Sequence, residues 1–128
     1  MNRPATQARR QAQKRGRRGE TLAAWWLRLK GYRILARDLR LPGGEIDILA
    51  RRGRVLAVVE VKRRGDAITA AEALGQRQQE RIVRAAEQFL ARRPDCAGLD
   101  LRFDVVLLSP AHRPRHIEDA WRPGAGTT

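Results

Sequence analysis

Residues 55–62 read Val-Leu-Ala-Val-Val-Glu-Val-Lys, a strand-type run that stays apolar on both faces until Glu60. A strand half exposed to water alternates apolar and polar residues. One that does not alternate is covered on both sides and belongs at the centre of a sheet. The rest of the chain has to be compatible with that buried strand. Residues 19–30, GETLAAWWLRLK, are rich in helix formers, with Leu22, Trp25, Trp26 and Leu29 at spacings of three and four as the expected apolar stripe. Lys30 and Gly31 make a C-terminal signal. A first strand is expected over 32–37, a turn at Pro42-Gly43-Gly44, and an alternating second strand over 45–50. Thr69 and Glu72 have capping-box spacing and open a helical region to about Arg93, with Gly75 as a candidate break and Pro94 as the stop. Alternation over 99–108 gives a fourth strand, and Ile117 starts a short last one. The order helix, three-stranded meander, helix, strand is a single α/β domain with a mixed sheet.

Charge adds a partner class. The 128 residues carry 27 Lys+Arg against 14 Asp+Glu, a net charge of +13. Residues 1–18 hold seven of these cations and no acid, leaving +6 for residues 19–128. We therefore divide the chain into a basic, disordered arm (1–15), a folded domain (16–121) and a flexible tail (122–128). Such a protein attracts polyanions, nucleic acid first among them, although solubility alone is a simpler use of the arm. No apolar run approaches the ~18 residues of a membrane span, and no apolar leader is visible. The single cysteine, Cys96, excludes an internal disulfide framework. A cytoplasmic protein without a membrane partner is expected. Only three cations are lysines, one of them Lys62 between Val61 and Arg63-Arg64, where a compact ammonium differs from a guanidinium.

The chemistry lies in acids placed where strands should be apolar. Glu60 and Lys62 share one face of the third strand, and Glu45 and Asp47 share one face of the second. With a two- or four-residue connection near Arg52-Gly53, Asp47 falls opposite Glu60 or Val58, and Asp47, Glu60 and Lys62 share a face; a three-residue loop separates them. Gathered carboxylates repel one another unless a cation joins them. Mg²⁺ is suited to this, since it binds through one or two carboxylates plus waters and substrate phosphate. Acids and one lysine in a basic protein thus point to metal-dependent phosphodiester hydrolysis. A lone Glu-x-Lys would be only an exposed ion pair worth about 0–1 kcal/mol.

Gly16-Arg17-Arg18-Gly19-Glu20, Gly31-Tyr32-Arg33-Ile34-Leu35, Gly43-Gly44-Glu45-Ile46-Asp47 and Val59-Glu60-Val61-Lys62 resemble the YraN-like family of small, uncharacterised bacterial proteins. That family is similar to the PD-(D/E)xK superfamily with the restriction-endonuclease-like fold, and within it to archaeal Holliday-junction resolvases. The resemblance runs from about Gly16 to Trp121. It implies a restriction-endonuclease-like core, with Asp47 and Glu60 as ligands of Mg²⁺ or Mn²⁺, Lys62 as the catalytic lysine, and Glu20 as an additional catalytic acid. Its implied activity is endonucleolytic cleavage of structured or branched DNA, and junction-cleaving relatives imply a homodimer. Arg17, Arg18, Arg63, Arg64 and Arg77 are the expected phosphate contacts. Ile46 stands where the superfamily has proline, and Gln78 where YraN-like proteins often carry lysine. Glu45 is expected to flank the site. The alternative function is a non-catalytic nucleic-acid-binding protein with a nuclease-like fold, and a third is an adaptor whose arm binds protein.

Other candidates are weaker. His112 and His116 have zinc-compatible spacing, but Pro114 lies between them and no further Cys or His is near. Cys96 reads as an incidental loop thiol. Of the adjacent Trp25 and Trp26, one is expected in the core, although either could stack on a base.

Overall fold

The computed structural model describes residues 19–63 and 75–124. The arm with Arg17 and Arg18, as well as Arg64, the Thr69 capping box and the end of the tail, lies outside the described residues. The fold is α/β: helix α1 (19–29), strands β1 (Arg33–Leu41), β2 (Gly44–Arg52) and β3 (Val55–Arg63), helix α2 (Gln76–Arg92), then β4 (Asp100–Leu108) and β5 (Arg115–Trp121). The strands form one sheet in the order β1-β2-β3-β4-β5. All neighbours are antiparallel except β3 and β4, which are parallel. The apolar run is central, as its composition requires, and the architecture is that of a restriction-endonuclease-like core.

Two apolar clusters cover the sheet. Leu56 and Val58 pack with Ile82, Ala85, Ala86 and Phe89 of α2, whereas Ala57 and Val59 pack with Ala23, Ala24 and Leu27 of α1. Successive strand residues point to opposite faces, so each helix covers one side. The face α1 buries is not the expected one. Leu22, Trp25 and Leu29 are 51%, 58% and 78% exposed, and Trp26 is half-buried. Ala23, Ala24 and Leu27 are instead the buried face, sharing a cluster with Ala50 and Ala57 of the sheet, and Leu22, Trp25 and Leu29 stay outside. Gly31 at φ 93 ends α1, with Tyr32 N–H donating to Leu27 C=O and Gly31 N–H to Arg28 C=O, both at 3.0 Å.

β1 extends four residues beyond the expected end. A bulge at Leu35 and the left-handed conformation of Asp38 (φ 48) break its alternation and conceal it in the sequence. Gly43 and Gly44 do more than turn the chain. A Cβ on Gly44 would stand 2.4 Å from the Arg81 carbonyl oxygen, so only glycine lets the start of β2 lie against α2. Gly75 is the N-cap of α2. Cys96 is not a loop thiol on the surface; it is buried in a 3-10 turn (Pro94–Cys96) within the α2-side cluster.

On the α1 side the sheet also buries charge. Asp104, fully buried, accepts from Arg102 Nε at 2.8 Å and Nη2 at 2.7 Å, from the Asp119 N–H at 3.0 Å, and lies 2.8 Å from His116 Nε2. Burial pushes its carboxyl up, but the hydrogen bonds from His116, Arg102 and the Asp119 N–H outweigh it and hold the carboxyl below its ordinary range. His116 is therefore committed to tying β5 to β4, with Lys30 on its other ring nitrogen.

Candidate functional site

The β2–β3 turn is the two residues Gly53-Arg54, and the ladder pairs Arg52 with Val55 through Ile48 with Val59. That register places Asp47 across from Glu60 on the α2 side, as the two-residue connection predicts. The pairing stops there. Ile46 packs on the α2 side and Ile48 on the α1 side, so β2 breaks its alternation between them. On its other flank, the pairs Arg37–Ile48 and Leu39–Ile46 set the left-handed Asp38 across from Asp47. Where the strands part, the Asp47 carboxylate takes over, accepting from the Val61 N–H at 2.9 Å.

Glu45, Asp47, Glu60, Arg77, Gln78 and Arg81 line a cleft of about 390 Å³ between the sheet and the first turns of α2. Glu60 is 5% exposed. Burial pushes its carboxyl well above the ordinary range, and Asp47 adds to the shift by repulsion and by the hydrogen bond that the protonated form makes to it. Lys62 and the Asp47 backbone N–H act the other way. Lys62 Nζ donates to Gln78 Oε1 at 3.2 Å, and Gln78 Nε2 donates to Glu60 Oε2 at 3.5 Å. One glutamine thus spans the lysine and the buried acid.

Glu20 lies on α1. Its carboxyl is raised to about 7, first by burial, then by Asp47 and Asp38, with Arg37 and Arg40 opposing. It senses Asp47 electrostatically, but among the described residues no three His, Cys, Asp or Glu side chains converge closely enough to hold a metal. Asp47 and Glu60 face one cleft, which the exposed Glu45 also lines. That donor set fits Mg²⁺ or Mn²⁺, which keep several waters and need few protein ligands. The two acids repel, and Lys62 offsets this only in part.

Of the expected phosphate contacts, Arg77 lines the cleft and Arg63 is exposed at the end of β3, its guanidinium beside Gly19. The structure adds Arg81, Gln78 and Asp38. Arg77 and Arg81 are four apart, so helical spacing alone placed them on one face. Asp38 had no such signal, because its register depends on the Leu35 bulge. No helix among the described residues is long and apolar enough to cross a membrane.

A family model described as uncharacterised protein family UPF0102 matches residues 19–108. A UPF0102 protein of Parvibaculum lavamentivorans is 63% identical over 108 residues, 84% of this chain and 81% of that protein. One from Paramagnetospirillum magneticum is 52% identical over 123 residues, 93% of this chain and 95% of that protein. One from a Chelativorans species is 48% identical over 121 residues, covering 94% and 98%. The matched span runs from α1 through β4 and contains Glu20, Asp47, Glu60, Lys62 and Gln78 alike. The chain belongs to the uncharacterised protein family UPF0102, the YraN-like group that its motifs resemble.

Proposed function

We propose that the chain is a Mg²⁺- or Mn²⁺-dependent endonuclease acting on structured or branched DNA. The observation that carries this reading is that Asp47 and the buried Glu60 face one cleft, with Lys62 joined to Glu60 through Gln78 and offsetting only part of the acids' repulsion. Asp47 and Glu60 would hold the cation, which supplies polarisation of the phosphoryl oxygen and a more acidic water. Glu60 must lose its proton for this, so ionisation of the acid pair and readiness of the site are the same event. The Lys62 ammonium, fixed through Gln78, orients the attacking water or stabilises the charge that develops on the phosphate. Arg77 and Arg81, at the rim, hold backbone phosphates. Glu20 completes the acidic face from α1.

The test is cleavage of duplex, single-stranded, flap and four-way-junction DNA in Mg²⁺ and Mn²⁺. Wild type is expected to cut at least one of the structured substrates, with Asp47→Ala and Lys62→Ala each reducing the rate by about 10²–10⁴. Equal cutting by the variants removes these residues from the chemistry. Binding without cutting in either metal makes the chain a non-catalytic DNA-binding module.

A further inference from the structure

The outer face of α1 has no use in the site just described. It carries Leu22, Trp25 and Leu29, at i, i+3 and i+7, all more than half exposed. The Arg28 guanidinium lies 5.4 Å from the centroid of the Trp25 ring. Arg37 reaches the same helix, donating to Thr21 Oγ1 at 2.7 Å. Glu20 is the only acid in residues 19–29. The exposed face therefore joins apolar side chains to the Arg28 guanidinium, on a chain of net charge +13. A flat π-surface flanked by guanidinium groups matches a nucleobase and its phosphates, since bases stack on aromatic rings and Arg adds cation–π and phosphate contacts.

We propose that Trp25 is a stacking platform for an unpaired base of a single-stranded segment bound along the outer face of α1. This rests on the reading of the chain as a protein that acts on DNA. It gives the protein a preference for DNA with an unpaired stretch over continuous duplex. Leu22 and Leu29 form the apolar shoulders on which the sugar and base edges rest.

The experiment measures affinity by fluorescence anisotropy for oligothymidylate, flap DNA and blunt duplex. It uses the full chain carrying Asp47→Asn, so that no substrate is consumed. Adding Trp25→Ala is expected to weaken oligothymidylate and flap binding by about five- to a hundred-fold, with duplex affinity changed less than about twofold; Trp25→Phe retains most of the affinity. Equal losses on all three DNAs, or no loss on any, overturn the proposal. So does a sedimentation change from dimer to monomer on Trp25→Ala with DNA binding intact, which assigns the face to a second copy of the chain. The two readings fail separately. Cleavage of flap DNA by wild type with no Trp25 dependence of binding rejects the stacking platform alone. Trp25-dependent single-strand binding without any cleavage rejects the catalytic reading alone.

Discussion

The Asp47 carboxylate accepts a hydrogen bond from the Val61 N–H at 2.9 Å, two residues past Val59, where the β2–β3 ladder ends. A side chain here does what a backbone carbonyl does in a continued sheet, and the Asp47 N–H in turn bonds the Glu60 carboxylate. The parting of two strands thus both exposes the acids to a cleft and fixes one of them by the backbone, so that no loop has to hold it.

The acid pair is held at a cost to stability. Glu60 has a folded-state pKa above its ordinary value, so the folded chain binds the extra proton and stability falls as pH rises from about 4.5 through the raised value. Glu60→Gln does not titrate. It is expected to be more stable than wild type by about 1–3 kcal/mol near pH 8, with the gap shrinking toward about pH 5. Urea unfolding at the two pH values measures it. A gap that is absent, or that widens on acidification, contradicts the burial of Glu60.

Gly44 positions the acids by steric means. Gly44→Ala puts a methyl group 2.4 Å from the Arg81 carbonyl oxygen and must push β2 from α2. A loss of about 2–4 kcal/mol is expected in chemical denaturation. A loss below about 1 kcal/mol would mean that the backbone yields easily there.

Gln78 orders the site from α2 through its bonds to Lys62 and Glu60. Gln78→Ala is expected to lower single-turnover cleavage by about 10- to 100-fold while leaving DNA affinity nearly unchanged, as for residues that orient catalytic groups. Gln78→Glu should recover the Lys62 contact but add a third carboxylate beside Glu60, and so shift the pH–rate profile upward. An unchanged profile in both variants removes Gln78 from the machinery.

Asp104 stabilises the opposite face of the sheet and lies outside the candidate site. Asp104→Ala leaves Arg102 without its buried counter-charge and His116 without its hydrogen-bond partner, and a loss of about 3–5 kcal/mol is expected. Because its carboxyl is held below the ordinary range, its contribution is present at neutral pH and fades as pH falls through the folded-state value. Differential scanning calorimetry from neutral to acidic pH, with the variant losing its deficit at the acid end, is the check.

The central strand was legible because Val55–Val59 admits no polar residue; the Asp47–Glu60 juxtaposition was one of the registers that the length of the connection left open, and the two-residue Gly53-Arg54 turn selects it. The helix face was misassigned for a physical reason. Periodicity weights large apolar residues, whereas two of the three apolar residues that α1 buries, Ala23 and Ala24 beside Leu27, are small. Gln78 and Arg81 entered the cleft through the packing of α2 on Gly43 and Gly44, a contact made by the absence of a side chain and so without a hydrophobic signal. Asp38 depended on a bulge and a left-handed residue in the preceding strand, neither of which alternation reveals.

The proposed function depends on Asp47 and Glu60 together holding a divalent cation. Isothermal titration of Mn²⁺ into wild type and Asp47→Asn, in two buffers of different ionisation enthalpy, measures this. Wild type is expected to bind one ion per chain with release of a proton from the acid pair, and Asp47→Asn to bind none. Equal binding by both proteins, or none by wild type, removes the cation from the site.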